Sequence, residues 1–342
     1  MDTKIAIVGS GFGMYGLLPS FDKVEGCEVV SICGSNSERM QNNCKKFNIN
    51  QYSDWRKMLE TEKPDALAVA VTPKHQYDIL KYALENGIAV FAEKPLTLSL
   101  HTSKDLNDLA KKKELPNVID YIFPEIPEWH STKNMIDNGS IGKLIKINVD
   151  WTFLSYDLSN QIKSWKTDVM QGGGALSFYF SHIFYYLEYF VGKIKNLDCK
   201  FFTSNKSLNG GETRIDMTIL FKNDCIGNIH LDISCSDKQT HRIEFMGKEG
   251  SILLQNNTNN FVDNFELVLK TSQETQKVHS EFLLELSDDE LEDSRVKAVK
   301  PIATRFINWC NNGVATKPDF EDGMRVQELI ETARISALKS GN

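Results

Sequence analysis

Along the first 120 residues, short apolar runs alternate with stretches whose apolar positions recur at helical spacing. The apolar runs are Ile5–Val8, Val29–Cys33, Ala66–Val71, Ile88–Ala92 and Asn117–Tyr121. The first two close on glycine, the third on Thr72-Pro73 and the fourth on Glu93-Lys94-Pro95. Tyr77–Asn86, ending at Gly87, and Leu100–Lys112 carry the helical pattern between later runs. Apolar strands separated by amphipathic helices predict a parallel sheet covered on both faces, the doubly wound form of an α/β domain.

After Tyr121 the pattern changes. A helix over Glu128–Asn138 ends at Gly139. Longer alternating segments follow at Lys143–Trp151, Leu197–Thr203, Thr213–Phe221, Ile226–Cys235 and His241–Gly247. Turn residues at Lys222-Asn223-Asp224 and Gly247-Lys248-Glu249-Gly250 predict hairpin connections. Leu176–Val191, an apolar run interrupted by His182 and Glu188, reads as a buried helix rather than a membrane span. The second half is therefore expected to be an open, mainly antiparallel sheet backed by helices. Glu285–Asp293 reads as an acidic surface loop, and Lys297–Asn311 and Phe320–Lys339 read as closing helices. The expected domains are 1–122 and 123–342, with helix 320–339 packing back on the first.

Length supports that division, because single cores stop growing well below 342 residues. A net charge of −7 removes any general attraction to nucleic acid or to an anionic membrane. The seven cysteines form no CxxC pair, so they read as reduced, packed thiols of a cytoplasmic protein, and no zinc site is expected. No charged-then-apolar leader precedes the first strand.

The chemistry begins at Gly9-Ser10-Gly11-Phe12-Gly13, directly after the first apolar run. Glycines there let backbone amides approach a pyrophosphate, and a following helix offers its positive end. The spacing departs from GxGxxG, since Met14 stands where a third glycine would. The second run ends without a carboxylate at 34, 35 or 36; Ser35, Asn36 and nearby Arg39 suit a ribose 2′-phosphate. NADP(H) is expected over NAD(H), with Thr72, Pro73 and Glu93 also near the cofactor. A lysine at the end of a later strand (Lys94) and a downstream histidine (His182) complete the parts needed for hydride transfer with proton transfer.

These residues resemble the Gfo/Idh/MocA family of oxidoreductases, which includes glucose–fructose oxidoreductase and inositol dehydrogenase. The likeness runs through the glycine turn with Pro19, Thr72-Pro73, Glu93-Lys94-Pro95-Leu96 and Gly139-Ser140-Ile141-Gly142-Lys143. It continues through Trp165-Lys166-Thr167-Asp168, Gly172-Gly173-Gly174 and Phe320-Glu321-Asp322-Gly323-Met324-Arg325-Val326. The resemblance implies a Rossmann domain, a C-terminal α/β domain whose sheet forms a homodimer or homotetramer, and a sugar-like substrate, free or nucleotide-linked. It maps the catalytic lysine and histidine onto Lys94 and His182. Trp165, Lys166, Phe178 and Tyr179 are expected at the substrate, and Gly172–Gly174 is expected to admit close approach of a ligand. Phe178 stands where the family often carries an aspartate, and Tyr185 where it often carries another. That departure leaves a second reading: a non-catalytic dinucleotide-binding protein.

Overall fold

The structure is a computed structural model describing residues 2–207, 209–280 and 293–339. Among them the chain packs as two units, Met1–Ile122 with Glu285–Gln327, and Phe123–Leu284 with Glu328–Asn342. The acidic segment 285–293, expected as a surface loop, lies outside the described residues except for Asp293.

In the first unit, strands β1 (Thr3–Val8), β2 (Cys27–Cys33), β3 (Asn50–Tyr52), β4 (Ala66–Val69), β5 (Ala89–Ala92) and β6 (Asn117–Ile119) form one sheet. Their order is β3-β2-β1-β4-β5-β6 and every pairing is parallel. The order reverses between β1 and β4, which opens a crevice at their carboxyl ends. β4 and β5 are buried at every position, as strands covered on both faces must be. Helices α1 (Leu18–Asp22), α2 (Glu38–Phe47), α3 (Trp55–Glu62), α4 (Pro73–Glu85) and α5 (Leu100–Lys113) connect the strands. Ser37 caps α2 by accepting from the Met40 amide, and Pro73 opens α4 in the first turn, where its missing N–H costs nothing.

The second unit holds α6 (Pro127–Asp137), the short α7 (Tyr156–Ser159) and α8 (Ser181–Val191), the last preceded by a wide turn at Leu176–Phe180. Its strands are β7 (Leu144–Thr152), β8 (Ile194–Phe202), β9 (Arg214–Phe221), β10 (Ile226–Asp232), β11 (Thr240–Gly247), β12 (Gly250–Asn256), β13 (Glu266–Thr271) and β14 (Thr275–Val278). They form one sheet in the order β14-β13-β12-β11-β7-β10-β9-β8. The hairpins expected at 222–224 and 247–250 are present, joining β9 to β10 and β11 to β12. One pairing differs from the expected hairpin ladder: β7 and β10 run parallel. Odd-numbered residues of β7 (Ile147, Val149, Trp151) are buried, while Asn148 and Asp150 on the opposite face are half-buried. No helix among the described residues is long and apolar enough to cross a membrane.

The chain then returns to the first unit. Helix α9 (Val296–Asn312) packs Phe306 against Phe21 and Phe91, with ring centroids 6.3 and 5.8 Å away. Thr3 at the start of β1 donates to Asn311 at 2.7 Å. Helix α10 (Phe320–Lys339) gives its first turns to the first unit and its remainder to the second.

Candidate active site

Every cofactor residue expected from the sequence lies at a carboxyl end of the first sheet. The Gly9–Gly13 turn follows β1, Ser35 and Asn36 follow β2, Thr72 and Pro73 follow β4, and Glu93 and Lys94 follow β5. Gly9 takes φ +136°, and a Cβ there would meet the Ala70 carbonyl oxygen at 2.2 Å, so only glycine lets the strand turn beside β4. Beside Gly11 the space is open, with no atom within 4 Å of an added Cβ, which is the room a phosphate needs. Ser35, Asn36 and Arg39 are exposed. Asn36 Oδ1 accepts from Gln41 at 3.0 Å and from Gln51 at 3.3 Å, fixing the end of β2. The Arg39 and Arg295 guanidiniums each lie 5.7 Å from the Tyr15 ring, and Arg295 lies 4.6 Å from Phe12. Two cations thus flank the turn.

Lys94 is held by backbone packing. Gln76, buried on α4, donates its Nε2 to the carbonyls of Glu93, Pro95 and Leu96 at 2.6, 3.2 and 3.1 Å. The Lys94–Pro95 peptide is cis. The Lys94 amide donates to Glu93 Oε2 at 3.2 Å.

A carboxyl pair stands beside this lysine. Ile119 pairs with Ala92 across β5 and β6, and the Asp120 amide continues the ladder to the Ala92 carbonyl at 2.9 Å. That register sets Asp120 against Glu93. Burial, with the Glu93 carboxylate alongside, holds Asp120 well above the usual carboxylate range. Burial also raises Glu93, against the opposing charges of Lys94 and Arg295. Burial disfavours the charge on Arg295, but its bonds to Asp293 (Nε–Oδ1 2.9 Å, Nη2–Oδ2 2.6 Å) win and raise its pKa.

In the second unit, His182 sits in the first turn of α8 and is buried, its ring 5.0 Å from Phe123 in an edge-on contact. Trp165, Lys166, Phe178 and Tyr179 lie together. Phe178 contacts Trp165 at 5.4 Å and Tyr179 at 4.7 Å, and the Lys166 ammonium lies 5.0 Å over the Phe178 ring. Tyr179 also meets Phe153 at 5.1 Å and Trp151 at 5.7 Å.

At two positions of the triple glycine the chain itself needs the missing Cβ. A Cβ on Gly173 would lie 1.9 Å from the Trp165 carbonyl oxygen, and one on Gly174 (φ +95°) 2.4 Å from Glu212 Oε1. The close approach is of chain to chain. Glu212 accepts from the Leu176 amide at 2.9 Å, so the carboxylate seats the start of the segment leading into α8.

Sequence reasoning missed five residues that shape these two regions: Gln76, Asp120, Glu212, His241 and Arg295. His241 on β11 stacks on Trp151 at 4.4 Å with ring planes 6° apart. Its burial lowers its pKa to about 3, so it is a neutral core group. Asp120 had a visible signal, a carboxylate inside an otherwise apolar strand-like run. The other four are polar residues whose partners lie far along the chain or whose local context is unremarkable.

A groove of about 480 Å³ lies on the open face of the second sheet, lined by residues such as Asn148, Asp216, Asn228 and His230.

Comparison with known proteins follows the two units. Residues 3–121 match an oxidoreductase family described by its NAD-binding Rossmann fold, and 133–341 match the C-terminal alpha/beta domain of the same family. An uncharacterised oxidoreductase of Synechocystis is 23% identical over 96% of this chain and 92% of its own length. Levoglucosan dehydrogenase of Pseudarthrobacter phenanthrenivorans is 24% identical over 73% of each chain. A solved structure of levoglucosan dehydrogenase in complex with NADH superposes with a TM-score of 0.87 at 19% identity, over 99% of this chain and 98% of that one.

Proposed function

The chain belongs to the Gfo/Idh/MocA oxidoreductase family, and on that footing we propose that it moves a hydride between a nicotinamide cofactor and a secondary alcohol or ketone of a sugar or sugar derivative. One observation carries the reading. The glycine turn after β1 and Lys94 after β5 share the carboxyl edge of one parallel sheet, with only β4 between their strands. The relative named as a levoglucosan dehydrogenase supports a sugar-like substrate. The bound nicotinamide supplies the hydride acceptor or donor.

Lys94 and His182 supply the rest. A neutral imidazole at His182 takes the hydroxyl proton when the alcohol is oxidised and returns it when the ketone is reduced. The Lys94 ammonium stabilises negative charge developing on a substrate oxygen. Trp165, Phe178 and Tyr179 offer an aromatic face and Lys166 a cation, a combination suited to a substrate with one apolar face and an anionic or hydroxyl-rich end. Nicotinamide fluorescence during incubation with sugars and nucleotide sugars tests the activity. No turnover with any member, in either direction, would favour the non-catalytic reading.

For the cofactor we infer a preference for NADP(H). Exposed Ser35, Asn36 and Arg39, with no carboxylate at 34–36, support it. Ser35→Asp should repel the 2′-phosphate and shift preference towards NAD(H); tighter binding of NADH than NADPH by the unaltered chain would overturn the inference.

We further infer that copies of this cytoplasmic chain associate as a dimer or tetramer through the open face of the second sheet. That face is polar: Asn228 donates to Asn148 at 3.3 Å, and His230 meets Asp216 at 2.6 Å. Such an interface should weaken with salt. A monomer in sedimentation at low salt and micromolar concentration would refute it.

A further inference from the structure

We propose that Glu93 and Asp120 hold one proton and one negative charge between them at neutral pH, and that this shared charge sets the protonation state of the Lys94 amine. The proposal rests on the reading of Lys94 as the group that acts on the substrate oxygen.

Register places the pair. β5 and β6 run parallel with Ala92 opposite Ile119, so the next residues along the two strands, Glu93 and Asp120, leave the sheet side by side. Their side chains meet in a hydrogen-bonding contact. Asp120 is 2% exposed, and its Oδ1 is buried with no hydrogen-bond partner. An ionised carboxylate in that position would leave a charged oxygen desolvated and unpaired, which costs several kcal/mol, roughly, beyond what a neutral carbonyl oxygen costs. A proton on Asp120 removes the difference and supplies the donor that two facing carboxylates otherwise lack. Glu93 is the better seat for the charge, because the Lys94 amide donates to its Oε2.

The charged groups acting on the pair come from three directions. Lys94 follows Glu93 on the same strand end, Arg295 lies ahead of α9, and each carboxyl faces the other across the β5–β6 seam. Arg295 is committed to Asp293 by a two-pronged bond, so its net contribution is largely cancelled locally. Lys94 is the neighbour left to respond.

A shared proton has a signature that two independent charges do not. Asp120→Asn removes the proton donor but leaves Glu93 ionised. Glu93→Gln lets Asp120 ionise against the new amide. Either single variant keeps one negative charge, and only the double variant Glu93→Gln/Asp120→Asn removes it. The Lys94 amine, titrated by NMR of labelled lysine and assigned with Lys94→Arg, should therefore keep its midpoint in both single variants. In the double variant the midpoint should fall by about one pH unit or more, a tenfold rise in the neutral amine. Equal, additive steps in the two single variants would show two separate charges and overturn the proposal.

The carboxyl carbons of labelled aspartate in the unaltered chain give a reading that does not depend on the variants folding. Asp120 should remain protonated at pH 7. Titration of Asp120 near the ordinary value of about 4 would overturn the proposal by itself. None of these measurements needs turnover. If Lys94→Ala retained full activity, the functional reading would fail while the shared proton stood.

Discussion

Glu93, Asp120 and Arg295 cluster at the end of the first sheet and His241 lies in the second unit; Asp120 and His241 are buried, Glu93 and Arg295 half-buried, and the two surroundings differ. Around the first three, every ionisable group faces another: Asp120 faces Glu93, Glu93 lies beside Lys94, and Arg295 is clamped by Asp293. Around His241 stand Trp151, Phe123, Trp129 and Phe265, with ring centroids between 4.4 and 5.7 Å. Desolvation is the same force in both places. Partners decide whether a charge survives it. The first region therefore keeps charged groups against one another, while the aromatic interior of the second packs around α8 and its His182.

The strongest way to break this comparison is to remove the chemistry. Lys94→Ala and His182→Asn should each lower turnover by roughly 100- to 10,000-fold while nicotinamide affinity changes little, as steady-state kinetics beside cofactor titration would show. Near-normal turnover in both would leave the charged edge without a catalytic purpose. Next in size is the aromatic interior. Trp151→Ala should cost about 3–5 kcal/mol in urea unfolding, because it removes the ring on which His241 stacks and which Tyr179 meets edge-on. A smaller effect is expected from Gln76→Met, which keeps the volume but removes the donor to three carbonyls. It should lose about 1–3 kcal/mol and reduce kcat without weakening cofactor binding.

The effect that is smallest at neutral pH sharpens the contrast best. Native His241 stays neutral down to about pH 3, whereas an unfolded chain protonates it below its ordinary value of 6.5. Stability should be unaffected by this group above pH 6.5 and should fall as pH drops from there towards 3. The slope is about 1.4 kcal/mol per pH unit. His241→Phe should flatten the acid limb of a plot of stability against pH. An unchanged limb would mean that the ring finds a proton partner in the folded state.

Much of this was legible in the chain. The runs at Ile5–Val8 and Ile88–Ala92 became β1 and β5 within two residues, and Phe320–Lys339 is a helix over that same span. The family came from short ordered motifs, which also marked Lys94 and His182 as candidates. What escaped has physical reasons. β3 (Asn-Gln-Tyr) is a polar edge strand with no apolar run to announce it, and β14 (Thr-Gln-Lys-Val) repeats the problem at the other sheet. Alternation in β7 and β10 shows which face each buries but not that the two pair parallel across some eighty positions of chain. Asp120 passed as one residue of the run Asn117–Tyr121 because its partner, Glu93, becomes a neighbour only once β5 and β6 are in register.

The bond from Thr3 to Asn311 spans 308 positions, and it fixes when the first unit can exist. On a ribosome making about 5–20 residues per second, β1 emerges roughly 15–60 s before the helix that Thr3, Phe21 and Phe91 require. Until then a nascent chain leaves the apolar side meant for α9 exposed to solvent, while the whole second unit is being synthesised. A truncated product ending near residue 122 has no later helix to wait for. It should be a client of chaperones and proteases rather than a small dinucleotide-binding protein.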